Sequence, residues 1–175
     1  CKVISIELQS RMANWDIATM MLNEKFDGQF MHYSMGLSNE NASVEVHSAV
    51  EASWFVAEIA NHENVGLYYK SLREDGKYVT EKARLRKFDD IFADIDSIYF
   101  LKMDIDGHEC KVLDGMRKTI AAQKIQHMQL ELDPFLWKES GNHDNNYGLQ
   151  VTNLLVDAGY HFYILADPRF GPEFG

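Results

Sequence analysis

The chain has 175 residues, 46% hydrophobic and 12% aromatic. That excludes general disorder and suits one domain able to bury roughly 70% of its unfolded surface. A formal charge of -10 argues against nucleic acid as a partner, because phosphates demand clustered Lys and Arg. No apolar run approaches the ~20 residues that span a bilayer. Cys1 and Cys110 have neither disulfide-framework nor metal-ligand spacing, so free thiols in the cytoplasm are expected. The chain opens on Cys1 and runs at once into KVISIE, so a start partway through a longer protein is expected.

Residues 3–7 (VISIE) read as a short strand ending in an acid. Ser10 is placed to cap a helix over 11–23, whose apolar Met12, Trp15, Ala18, Met21 and Leu22 follow helical spacing. Asp27-Gly28 makes a turn, 30–37 reads as the next strand, and 42–47 as another after a polar turn. Residues 49–61, with Trp54, Phe55 and Ile59 among alanines, read as helical. Segments 65–73 and 77–86 flank Asp75-Gly76, a hairpin signal, since a type I′ turn needs positive φ. Lys82, Arg84, Arg86 and Lys87 read as a solvated face, or as a contact for an anionic substrate.

Residues 88–92 predict a helical turn, 97–105 a strand, and 108–122 a helix with Val112, Leu113, Met116 and Ile120 inward. A strand over 125–132 leads through Glu131 and Asp133 to Pro134. A helix over 147–158 is closed by Gly159, and 160–166 is the last strand. Strand–helix alternation gives an α/β class with a mostly parallel sheet. One domain across 1–175 is expected, with a β-rich insertion at about 42–86.

The segment 101–115 reads LKMDIDGHECKVLDG. An apolar strand here delivers Asp104, Asp106 and Glu109, around Gly107, to the sheet mouth where α/β proteins bind ligands. Asp106 with Glu109 three residues on forms a capping-box pattern, which asks no chemistry of either. Asp104, at the carboxyl end of the strand, reads as functional. Lys102 lies on the same face two residues earlier and can pair with a carboxylate there. His108 is either a general base, with an ordinary imidazole pKa near ~6.5, or a polar helix-start residue. The other histidines lack ligand spacing, so no zinc site is predicted. Magnesium on Asp104, Glu131 and Asp133 is the lesser alternative. Trp54, Phe55, Tyr68 and Tyr69 could wall an acceptor site or simply pack a hairpin.

Three families use such residues. Phosphatases of the haloacid dehalogenase type follow DxDG with Thr or Val, where this chain has His108, and carry the motif near the domain start. Metal-dependent glycosyltransferases use a DxD after an apolar strand. The longest match is Lys102-x-Asp104-x-x-Gly107-x-Glu109-x-x-Val112-Leu113-x-Gly115. It closely resembles the signature of the FkbM-type S-adenosylmethionine-dependent methyltransferases, including a VLxG that the rivals leave unexplained. Ile6-Glu7, Gly36-Leu37-Ser38, Phe88-Asp89-Asp90, Leu130-Glu131 and Ala158-Gly159-Tyr160 resemble further family positions, in order, over most of the chain.

The resemblance implies a Rossmann-like class I methyltransferase sheet with helices on both faces. It implies S-adenosylmethionine as cofactor, a hydroxyl of a small molecule or carbohydrate as acceptor, and no metal. It places Glu7 on the cofactor's ribose hydroxyls, Ser38 and its neighbours near the adenine, and Asp104 at the transferred methyl. Asp104 or His108 would be the base, and Lys102 a charge partner. The chain departs from the pattern in lacking an apolar strand followed by GxG, and it begins where the family's second strand would be. An N-terminally truncated domain is therefore expected, with a gap of roughly two ~4.8 Å strand spacings in place of the central strand. Two readings compete: a glycosyltransferase using Asp104 and Asp106, and a non-catalytic domain that keeps the fold as an interaction module.

Overall fold

The structure, a computed structural model, describes residues 2–23, 25, 28–49, 57–59, 78–105, 107–131 and 145–163. Strands β1 (Val3–Glu7) and β2 (Phe30–Ser34) form a parallel pair, with Ser5 in register with His32 and Glu7 with Ser34. Parallel neighbours need a crossover, and α1 (Ser10–Met21) supplies it. Strand alternation sends Ile4, Ile6 and Tyr33 to the main core and leaves Ser5 and His32 to α1.

The helix does not bury the residues its spacing suggests. Ala13 is its buried residue, whereas Trp15 is 62% exposed and Met21 and Leu22 are more so. The cause is the polar face it covers: Asp16 turns inward, and its carboxylate accepts the Ser5 hydroxyl at 2.6 Å. Ser10 is not the cap either. Gln9 holds the N-cap position without a side-chain bond, and the N–H and hydroxyl of Ser10 both donate to the Glu81 carboxylate.

The strand expected over 30–37 breaks at buried Met35, and β3 (Gly36–Leu37) joins a different sheet. Gly36 permits that approach, since a Cβ there would lie 2.6 Å from Leu85 Cδ2 and 2.8 Å from Leu8 Cδ1. With β4 (Ala42–Ala49), β5 (Ala57–Ile59) and β6 (Tyr78–Arg86), the sheet order is β3-β6-β4-β5. Residues 57–59 are therefore strand rather than helix, because they pair antiparallel with β4 through Val46 and Ile59. Ala49 is strand as well, the last residue of β4, while residues 50–56 and 60–61, segment 65–73 and Asp75-Gly76 lie outside the described residues. The partner of β6 is β4, antiparallel from Ala42↔Leu85 to Ala49↔Tyr78. Lys82 and Arg84 are exposed while Ala83 and Leu85 are buried, so this is a solvated face.

After the short helix α2 (Phe88–Ile91), β7 (Ile98–Met103) and β8 (Ile125–Leu130) form a second parallel pair, from Ile98↔Ile125 to Met103↔Leu130. The single helix expected between them is two, α3 (Glu109–Asp114) and α4 (Arg117–Ala121). Asp89 starts the second: its carboxylate accepts the N–H of Lys118 (2.7 Å) and of Thr119 (3.0 Å) and the Thr119 hydroxyl (2.7 Å). Val112, Leu113, Met116 and Ile120 are buried, as the spacing predicts. Helix α5 (Asn145–Asp157) closes on Gly159 at φ +87, with Tyr160 N–H donating to Leu155 at 3.0 Å. Residues 160–163 form no strand, and the Tyr160 hydroxyl donates to the Ile125 carbonyl at 2.9 Å. Residues 164–166 lie outside the described ones.

Parallel strand pairs and helices make this a mixed α/β protein. Among the described residues, the single sheet expected is three: β1-β2, β3-β6-β4-β5 and β7-β8. Both parallel pairs contribute to one core, Ile4 and Ile6 from β1 with Leu101 and Met103 from β7, yet among the described residues no ladder joins β1 to β7.

Candidate functional site

The loop after β3 meets the loop after β7. Ser38 Oγ and His108 Nε2 share a hydrogen bond of 3.2 Å. Ser38 is 1% exposed and is fixed by its own N–H, which donates to the Arg86 carbonyl at 2.9 Å. Its carbonyl lies against Gly115, where an added Cβ would overlap it.

The loop leaving β7 turns at Gly107, whose φ of +93 suits glycine. Glu109 holds it: Oε1 accepts the N–H of Ile105 at 3.1 Å and of Gly107 at 3.3 Å. This buried carboxylate is thus engaged in shaping the backbone. The N-cap position is His108, without a side-chain cap bond, so Glu109 acts by reaching back. Asp106 lies outside the described residues.

Asp104 stands at the tip of β7. Lys102 Nζ donates to its Oδ2 at 2.8 Å, and its carboxyl hydrogen-bonds that of Glu131. Together these hold Asp104 below the ordinary carboxylate range, Glu131 contributing most. Glu131 is delivered by one further rung of the β7-β8 ladder, its N–H donating to the Met103 carbonyl at 3.0 Å. The sequence groups Glu131 with Asp104 as acids at strand ends; the strand register brings their carboxyls into contact.

Glu7 occupies the tip of β1. Its Oε1 accepts the Gln9 N–H at 2.7 Å. Burial raises its pKa and Asp16 adds to the rise; the N–H groups of Gln9 and Leu8, and His32, oppose it. The structure therefore joins Ser38 to His108 and Lys102 to Asp104. No hydrogen bond among the described residues ties Glu7 to either pair.

A neighbouring network braces the site. Asp114 Oδ2 accepts from Asn39 Nδ2 and from the Tyr147 hydroxyl, each at 3.2 Å, and Arg117 holds Oδ1. Burial and the Asp114 charge push the Tyr147 phenol well up, so it stays a neutral donor. Asn41 adds a second brace, donating to Asp90 at 2.8 Å and accepting the Lys87 N–H at 3.1 Å. Burial, with Glu109 beside it, lifts the Cys110 thiol to about 12, leaving it unreactive. Among the described residues, no group of three or more His, Cys, Asp or Glu side chains is arranged to hold a metal ion. No described helix is long and apolar enough to cross a membrane.

Polar side chains stand just beyond the ends of parallel strands, the part of an α/β sheet where ligands characteristically bind. The chain belongs to the methyltransferase FkbM domain family, which matches residues 1–162. Membership places it among methyltransferases in general. No curated protein and no solved structure matches it.

Proposed function

We propose that the chain moves a methyl group from S-adenosylmethionine to a hydroxyl of a small molecule or carbohydrate. The observation that carries this reading is the cluster of Asp104, Lys102 and Glu131 at the ends of β7 and β8, in the same loop region as the Ser38–His108 contact.

The donor set fits the cofactor. Glu7 is half-buried at a strand tip, and each carboxylate oxygen has two lone pairs, so accepting the Gln9 N–H leaves capacity for two vicinal ribose hydroxyls. When bound, S-adenosylmethionine supplies an electrophilic methyl on a sulfonium. The chain's part is to orient the acceptor and take its proton. In-line displacement gains much of its rate from alignment, so rigid placement of the acceptor oxygen matters more than strong basicity. Asp104, held below the ordinary carboxylate range by Glu131 and by Lys102, receives the hydroxyl proton as the oxygen–carbon bond forms. His108, anchored by Ser38, is the second group able to take it. Buried Ser38 serves as that anchor, while its neighbours Asn39 and Glu40 border the adenine.

A glycosyltransferase would need Asp104 on a metal ion, and the Lys102 ammonium at 2.8 Å works against that. Calorimetric titration of S-adenosylhomocysteine, with Glu7→Ala alongside, tests the reading. Saturable binding, weakened about tenfold or more by the substitution, is expected. Binding of a nucleotide sugar with manganese, and none of S-adenosylhomocysteine, would overturn it.

A further inference from the structure

Strand β6 turns Glu81, Ala83 and Leu85 to one face, since alternate residues of a strand share a side. Ala83 and Leu85 are buried, and Glu81 stands in register with Val46 of β4, which is buried as well. A carboxylate in such an apolar row is costly unless it is hydrogen-bonded. Its partners lie on the loop after β1. The Ser10 N–H donates to Glu81 Oε1 at 3.1 Å and to Oε2 at 3.3 Å, and the Ser10 hydroxyl donates to Oε2. Leu8, two residues earlier, touches the same sheet, because its side chain and that of Leu85 both crowd Gly36.

These two contacts bracket Gln9, whose N–H donates to Glu7 Oε1 at 2.7 Å. The peptide unit that follows is held at both of its polar atoms. The Gln9 carbonyl accepts the Ala13 N–H at 2.9 Å, and the Ser10 N–H is bound by Glu81. A planar peptide fixed at its carbonyl and its N–H cannot rotate without losing both bonds, so it also constrains Gln9. A continuous path of contacts therefore runs from β6 to the tip of β1: Glu81, Ser10, Gln9, Glu7.

We propose that Glu81 is a positioning residue for Glu7: by holding the Ser10 end of the loop, it fixes the direction in which the Glu7 carboxylate meets the vicinal hydroxyls of the cofactor's ribose. The four-stranded sheet thereby helps to set cofactor affinity without touching the cofactor. The link to affinity rests on the reading of Glu7 as the ribose acceptor; the path of contacts from Glu81 to Glu7 does not.

Two variants cut the path from opposite sides. Glu81→Leu removes the acceptor and suits the apolar row. Ser10→Pro removes both donors, and proline fits the first helical position after Gln9 at φ -81 and ψ 120. Amide exchange of Gln9 and affinity for S-adenosylhomocysteine are measured in each, alone and combined with Glu7→Ala. In both variants the Gln9 amide should exchange at least about fivefold faster and affinity should fall about fivefold, with no further loss once Glu7 is alanine. Glu81→Gln, which keeps an acceptor oxygen, should recover most of that affinity, a rescue that a role in sheet packing alone would not give. Unchanged Gln9 exchange in both variants overturns the proposal, as does an affinity loss that adds in full to that of Glu7→Ala. Level affinity in both variants while Glu7→Ala weakens binding overturns it too. Faster Gln9 exchange with affinity level in Glu81→Leu, Ser10→Pro and Glu7→Ala alike upholds the path of contacts and overturns the ribose reading.

Discussion

The carbonyl oxygen of Ser38 lies so close to the α-carbon of Gly115 that a methyl group on residue 115 would occupy its space. Two stretches that look independent in the sequence, Leu37-Ser38 and Val112-Leu113-x-Gly115, are thus one packed unit. The glycine is needed for contact rather than for an unusual backbone angle, since its φ is an ordinary -75.

Gly115→Ala should therefore cost about 1–3 kcal/mol by overpacking, because the clashing atom is backbone and cannot rotate away. Chemical denaturation would show it as a lower midpoint at unchanged slope. An unshifted midpoint would mean that the loop after β3 yields freely.

Asp89→Ala should remove the bonds to Lys118 and Thr119 that start α4, at a cost of about 1–2 kcal/mol. Hydrogen exchange of the Lys118 and Thr119 amides would report the loss directly, and those amides should become the fastest to change.

Glu7→Gln should stabilise the protein at neutral pH while weakening cofactor binding. The folded pKa of Glu7 is raised, so wild type has its full stability below the unfolded carboxyl value of about 4.3 and loses part of it as pH rises through the folded value. The variant escapes that loss. Thermal melts should coincide near pH 4 and separate by pH 7, the variant melting higher.

Asp104→Asn should reduce methyl transfer by about 10²–10⁴-fold while changing S-adenosylhomocysteine affinity less than about threefold. An equal loss in both would assign Asp104 to cofactor holding instead. Its lowered pKa adds a signature in stability. The contribution is present above the unfolded carboxyl range near ~3.9 and fades as pH falls through the folded value, so melting curves of wild type and variant should converge in strong acid.

Ser38→Ala should leave His108 without its anchor and lower turnover by about tenfold, with KM for the cofactor nearly unchanged. The acid limb of the rate profile is the discriminating readout. It should shift if His108 handles the proton and stay fixed if Asp104 alone does.

Much of the fold is legible in the chain because burial is periodic. Val112, Leu113, Met116 and Ile120 announce their inward face, and Gly159 announces the end of α5 by its need for positive φ. What the chain conceals are choices made by contacts distant in sequence. Trp15 and Met21 satisfy helical spacing yet lie outward, because Asp16 is drawn to Ser5. Ser10 looks like a cap, but its partner is Glu81. At the site, the positions of Asp104 and Lys102 follow from strand alternation. The meeting of Asp104 with Glu131 depends on β7-β8 register, and that of Ser38 with His108 on two separate loops. Neither is encoded locally.

The interruption between β1 and β7 has a mechanical consequence. Backbone rungs fix the spacing of paired strands near ~4.8 Å and resist stretching. Among the described residues no such rungs link the two pairs; what they share is a core to which Ile4 and Ile6 contribute together with Leu101 and Met103. Packing yields more readily than a ladder, so trimming Met103 should loosen that shared core while leaving the rungs within each pair intact.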